Sequence, residues 1–101
     1  MAYAFVALKY RVPLERIVQT QDRHRAYLRE LHAKGKMVVS GPFVPREGGA
    51  LLMRYADEAE LQQLLAGDPF QQEQLVETTI FRWAPNIGVE GLDTLAVARG
   101  E

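Results

Sequence analysis

Few residues in this chain are suited to moving a proton near neutral pH. There are two histidines and no cysteine. Imidazole, with an unperturbed pKa of about 6.5, takes and returns a proton under ordinary conditions. His24 lies in a long segment, Pro13 to Ala33, whose apolar residues Leu14, Ile17, Val18, Leu28 and Leu31 recur at the helical period. A turn of about 100° per residue puts His24 and Gln21 inside that apolar sector, with Arg23 and Arg29 on or near the solvated side. A histidine so placed is either a core residue hydrogen-bonded to a neighbour or a general acid–base group. Two short stretches stand out beside it, Ser40-Gly41-Pro42 and Asp68-Pro69-Phe70. An aspartate before a proline starts a short helix, the side chain capping it and the proline taking the first helical position. Ser40 has a hydroxyl for a ligand or for the end of its own strand. No strand–turn–helix elbow surrounds it, so it does not read as a nucleophile. His32 falls near the helix end, where an imidazolium suits the negative dipole, and reads as structural. Tyr10 and Arg11, after the first strand, could reach a pocket mouth but read rather as solvated; Arg46 and Glu47 read as solvated loop residues, and Met37 and Met53 as core.

Composition excludes several other chemistries. Without cysteine the chain forms no disulfide, thiolate nucleophile, zinc–thiolate site or iron–sulfur cluster of its own. Twelve basic residues against thirteen acidic give a net charge of -1, which argues against nucleic acid as a partner. No glycine-rich phosphate loop is present. No apolar run approaches the roughly 20 residues of a membrane span, and no basic segment precedes a long apolar core at the N-terminus. A cytoplasmic protein is therefore expected. At 101 residues, 48% of them hydrophobic, the chain is expected to form one domain with a core of modest depth.

The elements that must position these residues follow from pattern and punctuation. Tyr3–Tyr10, Lys36–Ser40, Ala50–Tyr55 and Val76–Trp83 read as strands. Gly35 ends the first helix as a left-handed cap, and Gly41-Pro42 ends the second strand. Phe43 to Gly49 is a connecting loop. Asp57 caps a second helix, with Glu58 and Glu60 in its first turn and Leu61, Leu64 and Leu65 as its buried stripe. Gly67 stops it. Residues 86–101 form a mixed tail whose main apolar residues are Leu92, Leu95 and Val97. The order is the ferredoxin-like βαββαβ plan, an α+β fold with a four-stranded antiparallel sheet. Both helices would cover one sheet face. The strands are apolar on the other face too, which calls for a homodimer or higher assembly pairing two sheets, a dimeric α+β barrel.

The motifs taken together resemble the YciI-like (YCII-related) family. The matching residues are His24-Arg25-Ala26-Tyr27-Leu28 with Leu31 and Gly35, then Ser40-Gly41-Pro42, the Gly48-Gly49 turn, Asp68-Pro69-Phe70, and Trp83 at the end of the last strand. The resemblance makes 1–85 a YciI-like domain; residues 86–101 are left as a tail that could form a short strand or helix against a partner subunit, be mobile, or cover a pocket. The family often has glycine where this chain has Gln74, and its tail is shorter. The resemblance implies a dimeric α+β barrel and an active-site pair mapping to His24 and Asp68. Asp68 would fix the tautomer of His24 and stabilise its imidazolium. One carboxylate oxygen would cap the helix while the other meets the imidazole. Ser40, Gly41, Pro42 and Phe70 would shape a substrate pocket, although Phe70 also reads as core. One acid–base pair and no cofactor fit elimination or isomerisation of a small cyclic or aromatic compound, since the family includes a dehydrochlorinase of a chlorinated hydroxyquinol. A metal is not expected, because zinc usually takes at least three protein ligands. The alternative is a non-catalytic small-ligand-binding or accessory dimer. A cofactor-free monooxygenase, as in other members of the superfamily, is a third reading.

Overall fold

A computed structural model describes residues 1–100, with only the backbone described for 97–100. The side chain of Val97 and residue Glu101 therefore lie outside the described residues. The elements run β1 (Ala2–Tyr10), α1 (Leu14–Ala33), β2 (Met37–Pro42), β3 (Gly48–Tyr55), α2 (Glu58–Ala66), α3 (Pro69–Gln72), β4 (Val76–Trp83) and α4 (Val89–Gly100). The four strands form one antiparallel sheet in the order β2-β3-β1-β4. This is the ferredoxin-like α+β fold that the order of elements in the sequence implies.

Strand β2 runs on through Gly41 and Pro42, two residues beyond the expected end. It is an edge strand, where a proline costs no ladder bond on its free side. Strand β3 likewise begins at Gly48. A Cβ at Gly48 would lie 1.9 Å from the Leu8 carbonyl oxygen, so only glycine lets β3 approach β1 at that register.

Helix α1 buries Ile17, Thr20, Leu28 and Leu31. Leu14 and Val18, expected in that stripe, are about half exposed. Val18 follows Ile17 by one residue, about 100° around the helix, and so falls off the buried side. Gly35 takes φ 73° and closes the helix. Its N–H bonds the His32 carbonyl and that of Lys36 bonds the Leu31 carbonyl, the paired closure of a left-handed cap. Asp57 caps α2 by accepting from the Glu60 N–H at 2.8 Å. Gly67, by contrast, has ordinary φ and is needed for space: a Cβ there would sit 2.3 Å from the Tyr27 hydroxyl.

The core lies between the helices and one sheet face. Ala4, Val6 and Leu8 of β1, Met37 of β2, Leu51 and Met53 of β3 and Val76 of β4 meet Ile17, Leu28, Leu31, Leu61, Leu65 and Phe70 there. The other face carries a cross-strand row, Val39, Leu52, Phe5 and Phe81, with Trp83 alongside Tyr3. Phe5, Phe81, Trp83 and Val39 are 40%, 55%, 50% and 59% exposed. The tail folds as α4 and packs against α1 and β2 of its own chain. Asp93 of α4 accepts from the Tyr3 hydroxyl at 2.7 Å and from Arg54 Nε at 3.3 Å. Burial, reinforced by Asp93, pushes the Tyr3 phenol up to about 12.

Candidate functional site

Helices α1 and α3 meet at the end of the sheet where β1 and β4 carry Tyr10 and Val76. His24 is delivered by the periodicity of α1, half-buried in the stripe that faces the sheet. Asp68 is delivered by the Asp68-Pro69 start of α3, where its Oδ1 accepts the Phe70 N–H at 2.9 Å. The same Oδ1 lies 2.7 Å from His24 Nδ1. One oxygen therefore serves both helix cap and imidazole, where the sequence suggested one oxygen for each. Oδ2 is buried with no hydrogen-bond partner among the described residues. Asp68 is only 2% exposed. The His24 ring lies flat on Phe70, with centroids 3.7 Å apart and planes 5° from parallel. Phe70 in turn meets the Tyr10 ring edge-on at 6.4 Å. The imidazole is held on one side by a carboxylate and on one face by a ring.

Two further sets of contacts brace α1, one against the end of α3 and one against α2. Glu73 accepts from Arg16 at 2.6 Å, from Thr20 at 2.9 Å and from Arg23. These hydrogen bonds hold its carboxyl down at about 2. Tyr27, packed on Gly67, donates to the Leu64 carbonyl at 2.6 Å. Its phenol pKa is raised by burial and then by the nearby negative charge of Asp68. Gln74 adopts φ 57°, a left-handed conformation that favours glycine. Its N–H bonds the Gln71 carbonyl, and the Leu75 N–H bonds the Phe70 carbonyl, closing α3.

A cavity of about 220 Å³ opens beside this pair. Its walls are Leu8 and Tyr10 of β1, Gln21, His24, Arg25 and Leu28 of α1, Ser40 to Pro42 of β2, the start of β3 and Phe70. His24, Ser40, Gly41, Pro42 and Phe70, separated by up to 46 residues in sequence, thus line one cavity. Asp68 stands behind His24 and is not part of the wall. Ser40 makes no side-chain hydrogen bond to the described residues and is exposed at the cavity mouth. A group of three or more His, Cys, Asp or Glu able to hold a metal ion is not found among the described residues.

Two wall residues carry a correction. Tyr10 and Arg46, read from sequence as solvated, turn inward. Arg46 Nε donates to the Tyr10 hydroxyl at 3.1 Å, and its Nη2 donates to Gln21 Oε1 at 2.8 Å. Its guanidinium carbon stands 5.9 Å from the Tyr10 ring centroid. Nothing in a polar loop segment signals such a turn. The hint in the sequence was Gln21, a polar residue in the apolar sector of α1 that needed a partner. His32, read as structural, bonds the Met37 carbonyl through Nδ1 at 3.1 Å.

The YCII-related domain family matches residues 1–84. The chain belongs to the YCII-related family. A solved structure of similar fold is 5-chloro-2-hydroxyhydroquinone dehydrochlorinase (TftG) from Burkholderia phenoliruptrix AC1100, in complex with 2,5-dihydroxybenzoquinone. The two are 25% identical over 84% of this chain and 96% of that one, with a TM-score of 0.73. No curated protein sequence matches this member of the family. Among its described residues no helix is long and apolar enough to cross a membrane.

Proposed function

We propose that this YCII-related protein is a small cofactor-independent enzyme that eliminates from, or isomerises, a single-ring compound, with His24 as acid–base group and Asp68 as its orienting partner. The observation that carries the reading is the 2.7 Å contact between His24 Nδ1 and Asp68 Oδ1 at the wall of a cavity. With Nδ1 engaged, Nε2 is the nitrogen that meets a substrate. Asp68 fixes the proton on Nδ1 of the neutral ring, so Nε2 carries a lone pair and acts as base. The carboxylate then stabilises the imidazolium that forms. In an elimination, Nε2 takes a proton from the ring substrate. The electron pair left behind forms a new double bond, and the leaving group departs as an anion. In an isomerisation the same Nε2 returns the proton to another atom.

Cavity size supports a single ring. An apolar cavity of roughly 150 Å³ holds benzene, and the present one is about 220 Å³, room for one ring with substituents. The dehydrochlorinase of similar fold, solved with a dihydroxybenzoquinone, supports the same substrate class and makes a halogenated hydroxyquinol the first compound to try. Residues 1–85 carry this activity. The functional unit is a homodimer joined through the open sheet face, a reading supported by the exposed Phe5, Phe81, Trp83 and Val39. Chloride release from 5-chloro-2-hydroxyhydroquinone tests the enzyme. The parent should release chloride, and His24→Ala should lose turnover by about 10²–10⁴-fold while remaining folded. Binding without release, across halogenated hydroxyquinols and small lactones, would leave a ligand-binding module instead.

A further inference from the structure

Four lysines and arginines with described side chains are buried or partly buried: Arg16, Lys36, Arg46 and Arg54. Three of them have a carboxylate partner. Arg16 pairs with Glu73, Lys36 with Glu60 and Arg54 with Asp93. Arg46 pairs with none among the described residues, and both of its hydrogen-bond partners, Tyr10 and Gln21, are neutral. Partial burial of a cation costs free energy that a counter-charge offsets. Here the chain supplies no counter-charge, yet it spends two hydrogen bonds on turning the guanidinium toward the cavity. Those bonds use one N–H on Nε and one on Nη2. A guanidinium has five N–H donors, so three remain, arranged as a planar fork that matches paired anionic oxygens.

The rest of the wall agrees. The cavity lining includes Arg46, Arg25 and His24 and no aspartate or glutamate. Asp68 is turned to the far side of His24, and Glu47, between the wall residues Arg46 and Gly48 in sequence, is exposed. The wall thus carries two arginines and is otherwise largely apolar, through Leu8, Leu28, Leu51 and Phe70. Arg25 is exposed and its charge is screened by water, whereas Arg46 is half-buried and screened less.

We infer that Arg46 is the anion-recognition residue of this cavity, and that the ligand is a single ring bearing an ionised oxygen, a carboxylate or an acidic enol or phenol. The neutral ends of the ring lie against the apolar wall, and the ionised oxygen meets the free edge of the Arg46 guanidinium. Tyr10 and Gln21 hold that edge in place. The inference deepens the proposed function and rests on its assignment of this cavity as the substrate site.

Calorimetric titration of the full chain tests it with two matched rings. One is 2,5-dihydroxybenzoquinone, ionised at neutral pH; the other is its neutral 2,5-dimethoxy ether. The parent should bind the ionised ring at least about ten-fold more tightly than the ether, as expected for hydrogen bonds to a charged group. In Arg46→Gln the preference should collapse to within about two-fold, by loss of affinity for the anion alone. Arg46→Lys, which keeps the charge and loses the fork, should restore part of it, and Arg25→Gln should change it little. Melting curves confirm that each variant is folded. An equal preference in the parent and Arg46→Gln would overturn the inference. So would a parent that binds the ether as well as the anion, or that binds neither ring and neither benzoate nor 4-nitrophenolate. His24→Gln separates this from the acid–base reading. It should keep the anion preference and lose chloride release. If the preference depends on Arg46 but the parent turns over no halogenated hydroxyquinol, the enzymatic reading fails and the anion site stands.

Discussion

The two faces of the sheet are built from the same strands and are nearly opposite in character. The helix-side face closes on itself: Ala4, Val6 and Met53 are fully buried, and the polar groups there include His24, Asp68, the residues around the cavity and Thr20, which bonds Glu73. The other face leaves Phe5, Phe81 and Trp83 in water. A hydrogen bond to a carboxylate gains strength where water is excluded, so the proposed acid–base chemistry suits the closed side. An exposed aromatic row gains only when something covers it, so assembly belongs on the open side. On the proposed reading, one fold separates reaction from association by the two-residue period of its strands. Phe5 and Val6 are neighbours in sequence and serve different ends.

That division can be broken from either side. The largest effect expected is the loss of turnover in His24→Ala, about 10²–10⁴-fold, with the dimer unchanged by sedimentation. The converse is Phe81→Asp, which places a charge on β4 in the exposed aromatic row of the open face, opposite Phe5. It should weaken association by about 3 kcal/mol, giving an 11.4 kDa species at micromolar concentration with little change in helical circular dichroism. A Phe81→Asp protein that remained a dimer would place the interface elsewhere.

Smaller effects sharpen the closed side. Gly67→Ala forces a methyl against the Tyr27 hydroxyl and should cost about 1–3 kcal/mol by denaturant unfolding. Gln74→Gly relieves the left-handed strain after α3 and should stabilise by about 1 kcal/mol. Glu73 gives a pH signature. Its folded pKa, about 2, lies below its unfolded value, so its contribution is full above the ordinary glutamate range of about 4.5 and is lost as pH falls toward 2. Unfolding curves between those limits should be flatter in Glu73→Gln than in the parent.

The sequence announced these two faces unequally. His24 was legible because helical spacing fixes the side of α1 on which it falls. Asp68 was legible because the aspartate–proline pair fixes a helix start. Their meeting came from the family resemblance, since no periodicity relates α1 to α3. The open face was legible because β1 and β3 are apolar at both strand periods. Arg46 was not, because its direction is set by a loop that has no period and by a hydrogen bond to Gln21, 25 residues away. The docking of α4 was equally hidden. It depends on Asp93 reaching Tyr3 at the opposite end of the chain, a contact no local pattern encodes. Val18 misled because apolar character alone does not specify the centre of a stripe.

The central claim is that Asp68 decides which nitrogen of His24 is left to act. The nitrogen-15 spectrum of the His24 ring tests it directly, in the parent and in Asp68→Ser, at about pH 9 where an ordinary imidazole is neutral. Serine keeps the cap on α3 and removes the carboxylate. The parent should hold its proton on Nδ1 with Nε2 bare, and the variant should shift the proton toward Nε2. A parent protonated at Nε2, or a variant with the parent's spectrum, would contradict the account.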